Sequence, residues 1–516
     1  MRTLVHRAIL AAFVTVFGIE ASVSAQPPAP GPPQPRRLTA DEAVELALAN
    51  NLGIQIARFA PQIEDLGVAQ ARGGWVPTVT TSLQHNSAQS PPNSFLSGAQ
   101  ETLTNTQLSN NTSLQQLLPW GGRYTIGWDS TRSTTNSFFA NFNPQLRSAL
   151  SVSYQQPLLR GFGIDSTRQQ LEVGRKNREI ADLDLREAIV ATTRAVRRAY
   201  WDLAYAIASL EVQRQSLDLA RESLRNTRAR VEIGTTPPID IVEAESEVAL
   251  REEAVIVAQA NIATAEDALR ALVFDPSAPD FWTIRIEPSE PPPFRPAPVD
   301  VDAAVRTALE RRTDLQRARK NLEAADINIR FLRNQTLPDV TASVDYGLTG
   351  LGGVQFVRGA GGFPGPIIGQ TERSFGSVLS DLLRNEYPTW TASISISYPL
   401  GGSAQDASLA RARLQHSQTQ AQIRNQQLQI ATQVRQAARQ VLTNQQRVES
   451  TRASRQLAER RLEAEQRKFA AGTSTSFFVF QAQRDLAVAR NNELRAILDY
   501  NQSLVDLETV QEVPLR

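Results

Sequence analysis

The groups that could do chemistry in this sequence are few. There are three His, widely separated (His6, His85, His416), and no Cys. Without Cys there is no thiolate nucleophile or ligand and no disulfide. No set of His, Asp and Glu has metal-ligand spacing, and no Ser sits in a nucleophile elbow. "RGAGGFPG" (358–365) is Gly-rich, but it lies between strand-like segments and opens no helix, so it is no phosphate cradle. Neither catalysis, a cofactor nor a metal is expected. Lys and Arg number 54 against 53 Asp and Glu, a formal charge of +1, which gives no reason to expect a nucleic-acid partner. The distinctive residues lie instead in two turns. "RVEIGTTPPIDIVEAESEV" (230–248) breaks a long helix-forming run at Gly234, Thr235 and Thr236, followed by Asp240 and Glu243. "RKFAAGTSTSFFVFQAQRDL" (467–486) does the same at Gly472, Thr473 and Ser474, followed by Phe477, Phe478 and Gln481.

The elements that hold these turns are long helices. Ile189, Val196, Leu203, Leu210, Leu217, Leu224 and Val231 recur every seven residues, as do Ile241, Val248, Val255, Ile262 and Leu269 after the turn. The second tract gives Val434, Val441, Val448, Leu462 and Phe469, then Val479, Leu486, Tyr500 and Leu507, failing only at Arg455 and Glu493. A sustained heptad means helices packed in a left-handed supercoil. An ordinary helical hairpin core is the plainer alternative. Residues 166–232 contain no Pro, however, and at 1.5 Å per residue they span about 100 Å, too long for a compact domain to bury.

The chain is one unit written twice. Asp41, Val44, Ala47 and Leu48 match Asp302, Val305, Ala308 and Leu309, and Pro77 matches Pro338, all offset by 261 positions. The helical tracts repeat with an offset of 238. Thr39 to Glu42 read as a helix-capping box. Residues 1–25 carry Arg2 and Arg7, an apolar stretch and a small-residue cleavage site, the pattern of a secretory signal peptide. Two Pro-rich linkers, 26–37 and 287–300, precede the repeats at 38–286 and 301–510. Strands are expected at about 76–157 and 339–399, and long helical hairpins at about 166–273 and 404–509.

The strand segments alternate. Val340, Val344 and Tyr346 fall on one face, as do Trp390, Ile394, Ile396 and Tyr398; the other face is Thr, Ser, Asp and Gly. In the first copy Tyr124, Ile126 and Trp128, and Leu150, Val152 and Tyr154, do the same. Segments of about 10 residues suit tilted membrane-spanning strands with these residues facing lipid. Trp75, Trp120, Tyr154 and Tyr398 fall at the helix-proximal rim, where an aromatic belt belongs. Four strands are expected in the first copy and two in the second, the latter joined by a Gly-rich loop at about 349–388. Six strands cannot close a wide barrel alone, so several copies must close it together.

"ALANN", "VP" or "LP" before a strand, "QQPLL" or "SYPL" after one, and the Gly turns occur in this order twice. Together they resemble the outer-membrane efflux protein family of TolC-like channels, over essentially the whole mature chain. The resemblance implies an α+β membrane protein, a homotrimer whose shared outer-membrane β-barrel continues as a periplasmic α-helical barrel. It implies passive export of small molecules or proteins, with a periplasmic adaptor and an inner-membrane pump as partners and outer-membrane lipid around the barrel. The Gly turns become periplasmic tips, sites of adaptor docking and constriction. Where family members carry an Asp ring, this chain has Phe478 and Gln481, so an apolar constriction around Phe477, Phe478 and Phe480 is expected in its place, the alternative being that these Phe residues only pack the helix pair. Six strands per copy would exceed the family's four. A soluble periplasmic coiled-coil adaptor or scaffold would explain the heptads but leaves the amphipathic strands without a role.

Overall fold

A computed structural model describes residues 35–91, 101–296, 298–362 and 364–512. The signal segment and most of the first linker lie outside the described residues. Each repeat runs short helix, second helix, strands, very long helix and returning helix. In the first repeat these are α1 (Ala40–Asn50), α2 (Leu52–Gly73), four strands, α3 (Ser166–Glu232) and α4 (Ile239–Val273). In the second they are α5 (Val301–Arg311), α6 (Thr313–Gln335), three strands, α8 (Ala404–Ala470) and α9 (Ser476–Gln511). The α3 and α8 helices have 67 residues each, about 100 Å of helix. Among the described residues no helix is long and apolar enough to cross a membrane.

Local signals set the helix starts. Thr39 and Glu42 form the expected capping box of α1, and Ser403 and Asp406 form one for α8. Each satisfies donors that the first turn of a helix leaves unpaired. The heptad residues become the seam. Val196 and Leu203 are fully buried between α3, α1 and α4, and Val434, Val441 and Val448 between α8, α5 and α9. The two heptad failures meet each other: Arg455 pairs with Glu493, which also accepts from Arg452 at 3.2 Å. A missing apolar layer is thus replaced by an ion pair across the same seam.

One sheet holds β2 (Thr78–Ser90), β3 (Leu103–Leu117), β4 (Arg123–Thr135), β5 (Phe142–Pro157), β7 (Asp339–Arg358), β8 (Ile367–Arg373) and β9 (Pro388–Ser397). Neighbours pair antiparallel in chain order up to β7, which then pairs with β9 along its helix-proximal half and with β8 beyond. The expected Gly-rich loop at 349–388 is therefore mostly structured. The β7 strand runs on to Arg358, β8 folds back on its outer end, and the helix α7 (Phe375–Leu383) packs on the sheet. Two glycines make room for it. A Cβ at Gly350 would lie 2.4 Å from the Val378 carbonyl oxygen, and one at Gly352 would lie 2.5 Å from the Val378 side chain. Six strands still reach the helical end: β2 to β5, β7 and β9.

The Pro-rich linkers are extended but not free. β1 (Arg36–Leu38) and β6 (Ile286–Pro288) pair in parallel. The Tyr200 hydroxyl donates to the Leu38 carbonyl at 3.1 Å, and the Tyr500 hydroxyl to that of Arg295 at 2.8 Å. Composition marks such a stretch as non-helical but carries no signal for what it will lie against.

Replacing Leu203 by Ala should cost about 2–5 kcal/mol, because a fully buried Leu loses its contacts and leaves a cavity. The helical circular-dichroism signal of the variant should be lost at a lower temperature than that of the parent; an unchanged transition would contradict this packing.

Candidate functional site at the helix reversals

The two reversals are built alike, atom for atom. Gly234 has φ +72° and Gly472 φ +74°. Thr235 N donates to the Arg230 carbonyl and Thr473 N to that of Lys468, both at 2.9 Å. The hydroxyl of each Thr donates to the same carbonyl, at 2.9 Å and 3.1 Å. This six-to-one bond with a left-handed Gly is the Schellman ending, which satisfies carbonyls the last turn leaves bare. A Cβ at either Gly would meet nothing within 4 Å, so backbone conformation alone selects Gly.

Past the turns the two copies differ. Asp240 accepts from the Ser476 hydroxyl at 3.2 Å, tying the start of α4 to the start of α9. Glu243 is exposed. The Thr236 hydroxyl is buried with no hydrogen-bond partner. Phe477 and Phe478 are half exposed, 52% and 50%, with rings edge to face at 5.6 Å. Phe480 is only 5% exposed. It lines an inner groove with Thr227, Arg230 and Val479. The structure therefore separates the three rings grouped on sequence: two lie at the surface, and the third packs the helices together. Helical spacing sets Phe478 and Phe480, two apart, on different faces; it does not account for Phe477, which is three before Phe480 and yet half exposed in the first turn of α9. Gln481 bonds Asp485 at 3.0 Å and accepts from Arg484 at 3.2 Å. Ser474 donates to Glu465 at 2.9 Å, and with Lys468 holds that carboxyl below the usual carboxylate range.

The sequence reading missed the links between the hairpins. Arg484 on α9 reaches Glu247 on α4 at 3.1 Å, and Arg251 reaches the same carboxylate at 2.6 Å. The Glu247 side chain is 4% exposed. Arg230 of the first turn lies over the Phe469 ring at 4.2 Å and donates to the Phe469 carbonyl at 3.1 Å. Glu247 would have been findable only as a charge beside the apolar seam, a position most helices fill with solvated residues. Among the described residues no group of His, Asp and Glu could hold a metal ion.

At the other end, the residues expected to face lipid share one face. Tyr124, Tyr154 and Val344 form one cross-strand row. Ile126, Val152, Tyr346 and Trp390 form the next, and Trp128 and Leu150 the one beyond. Val340 opposes Ile396, and Ile394 opposes Ala342. Tyr398 lies just past the end of β9. The alternate rows are polar: Thr125, Ser153, Asp345 and Thr391, then Gly127, Ser151, Gly347 and Thr389. The Trp120 indole donates to the Tyr154 hydroxyl at 3.1 Å, placing both at the helix-proximal rim.

Two repeats of long helices continuous with an amphipathic antiparallel sheet define the TolC-like channel architecture. The chain belongs to the outer membrane efflux protein family, whose profile matches residues 43–273 and 304–510. It is similar in fold to the Campylobacter jejuni CmeC outer membrane channel, with a TM-score of 0.64, 14% identity, and 92% of this chain and 85% of that one covered. It is likewise similar to the outer-membrane channel OprN, at 0.65, 17%, 92% and 90%. The Vibrio cholerae outer membrane protein VceC matches at 0.63, 16%, 92% and 97%. No curated protein matches.

Replacing Glu247 by Ala should loosen the tip. Each charge-assisted bond to Arg251 and Arg484 is worth about 1.5–3 kcal/mol, and the Arg251 side chain, 14% exposed, loses its partner where water is scarce. Amide hydrogen exchange around residues 240–250 and 476–486 should speed up about tenfold or more while the strands are unaffected. Unchanged exchange there would show that the link does not hold the hairpins.

Proposed function

We propose that three copies close one β-barrel in the outer membrane and one helical barrel beneath it. This forms the exit duct of a tripartite efflux or secretion system fed by a periplasmic adaptor and an inner-membrane pump. The observation that carries the reading is the sheet's two bare edges. All thirteen residues of β2 and all ten of β9 are exposed, at opposite ends of a sheet with one apolar and one polar face. Unpaired backbone groups cannot be left in hydrocarbon. Joining the edges of successive copies removes every edge and turns the polar face inward, while the rows of Ile394, Ile396 and Trp390 face lipid. With six strands from each of three copies the barrel has about eighteen, and its width grows roughly with strand number.

The tips are the narrow end. Phe477 and Phe478, exposed on each copy, supply an apolar ring in place of a carboxylate ring, while the link from Arg484 to Glu247 holds the two hairpins together. Energy for transport comes from the pump. A pore-free adaptor or scaffold would have no use for the apolar strand rows.

Negative-stain images of the mature protein extracted in detergent should show threefold particles about 140 Å long, barrel plus helices. Replacing both Phe477 and Phe478 by Ala should raise single-channel conductance in planar bilayers severalfold. Solubility without detergent would sink the channel reading. Unchanged conductance in the double variant would remove the aromatic ring from the gate but leave the duct.

A further inference from the structure

The two repeats meet within one chain at a junction with a visible construction. The last strand of the first repeat, β5, pairs with the first strand of the second, β7. Beside it α3 is ion-paired to α6: Lys320 bonds Glu179 at 2.8 Å and Lys176 bonds Glu323 at 2.8 Å. Arg317 adds bonds to Asp184 and Glu187 at 2.8 and 2.6 Å. The α6 helix has a second neighbour, α8, reached through Asp326 and His416 at 2.9 Å. Its counterpart α2 touches α3, through Asp65 and Arg178 at 2.8 Å. Its far side presents Ile56, Phe59, Ile63 and Leu66, 59–70% exposed.

The sequence offsets hold in three dimensions. Adding 261 to Asp65 and 238 to Arg178 gives Asp326 and His416, and both pairs are observed contacts. The same addition carries Asp41 and Arg197, bonded at 2.7 Å, onto Asp302 and Arg435, bonded at 3.0 Å. The offsets can therefore carry the repeat junction to its missing partner. What β5 and α3 do to β7 and α6, β9 and α8 would do to β2 and α2 of another copy. The strand directions agree: β2 leaves the helical end and β9 returns to it, so the two edges can pair antiparallel as β5 and β7 do.

From this we infer that the contact between copies is the repeat junction reproduced, with its chemistry exchanged. The ion-paired set of Lys176, Glu179, Lys320 and Glu323 maps onto Leu414, Ser417, Phe59 and Gln62. Leu414 is 73% and Phe59 59% exposed in the single chain; in the assembly the mapping sets Leu414 against Gln62 and Phe59 against Ser417, which covers both. Arg317 maps onto Ile56, opposite Gln422 and Asn425. Further down, α3 and α9 touch at Ser209 and Asn491 (3.2 Å) and at Ser223 and Gln483 (2.9 Å). These map onto Arg447 facing Glu253 and Arg461 facing Glu245 of the next copy. Opposite charges thus arise at both mapped sites. The seam gains apolar area near the barrel and opposite charges toward the tip, where Arg447, Arg461 and Glu245 also bond Asp499, Asp485 and Arg228 within their own chain.

The inference rests on the ring of copies proposed above, and the test separates the two. The chain has no Cys, so introduced pairs react alone. Phe59→Cys with Ser417→Cys, treated in outer membranes with a flexible bis-maleimide, should give a ladder of one, two and three chains. The control pair Lys320→Cys with Glu179→Cys, an observed contact, should react within one chain and keep monomer mass. Phe59→Lys with Leu414→Lys should abolish the trimer by light scattering in detergent. Adding Gln62→Glu and Ser417→Glu, which rebuilds the ion-paired set across copies, should restore it in low salt. Trimers by light scattering with no ladder, while the control reacts, would overturn the seam and spare the channel. No trimers in the unmodified chain would overturn both.

Discussion

A strand edge in hydrocarbon has no water to satisfy its N–H and C=O groups, and each unmet group costs several kcal/mol. The sheet of this chain has two unpaired edges, β2 and β9, and the proposed barrel closes both. The strands between Tyr124 and Tyr398 put apolar rows on one face and hydroxyls, glycines and Asp345 on the other. That alternation is the pattern required by the proposed placement, with lipid on one face and water on the other. The helices below carry the same geometry downward, since each strand region is entered from α2 or α6 and left into α3 or α8. In the proposed barrel, the spacing of the closed sheet is therefore imposed on the helices where they join it.

The helices answer with a seam that tolerates substitution by kind. Val434, Val441 and Val448 fill successive layers, and at the next Arg455 enters instead. A guanidinium there would be costly alone, because a buried charge without a partner loses its hydration for nothing. Glu493, the other break in the pattern, lies opposite and is 12% exposed as a side chain. Two irregularities in the sequence are one interaction in the structure. Arg452 and Glu459 extend it to the surface, where a charge network can stay partly hydrated. Such a layer fixes the register of α8 against α9, since a slip of one turn would leave Arg455 facing an apolar side chain.

The sequence made the architecture legible because its signals were long. Heptads over 67-residue helices and repeats hundreds of positions apart average out local noise, and the ends of α3 fell at the positions expected, 166 and 232. Strand faces were equally readable, since a period of two leaves no choice once one face is apolar. The tip was half legible. The Gly turns could be read, whereas which of Phe477, Phe478 and Phe480 is buried, and the partners of Glu247, depend on which helix lies alongside, which spacing within one helix does not specify. The segment between β7 and β9 was misread for a related reason. Its glycines indicated a loop, but Gly350 and Gly352 serve close packing under Val378, a use of Gly that looks the same in sequence.

The doubled sequence then acquires a physical meaning. A unit with an exposed edge strand and an exposed helix face is stable only against another such unit, and a chain holding two of them still ends in one unmet face at each side. Covalent linkage holds the inner junction together, so it can use ion pairs such as Lys320 with Glu179, which fix register but add little net stability at the surface. A junction between separate chains must overcome the entropy of association, and apolar area such as Phe59 and Leu414 is the more effective means. The unlike chemistries also keep the junctions from exchanging. On the inferred seam, Phe59 docked on the Lys176 and Glu179 face would strip charges of water with nothing in return, so each α2 would be steered away from a second α3 and toward an α8.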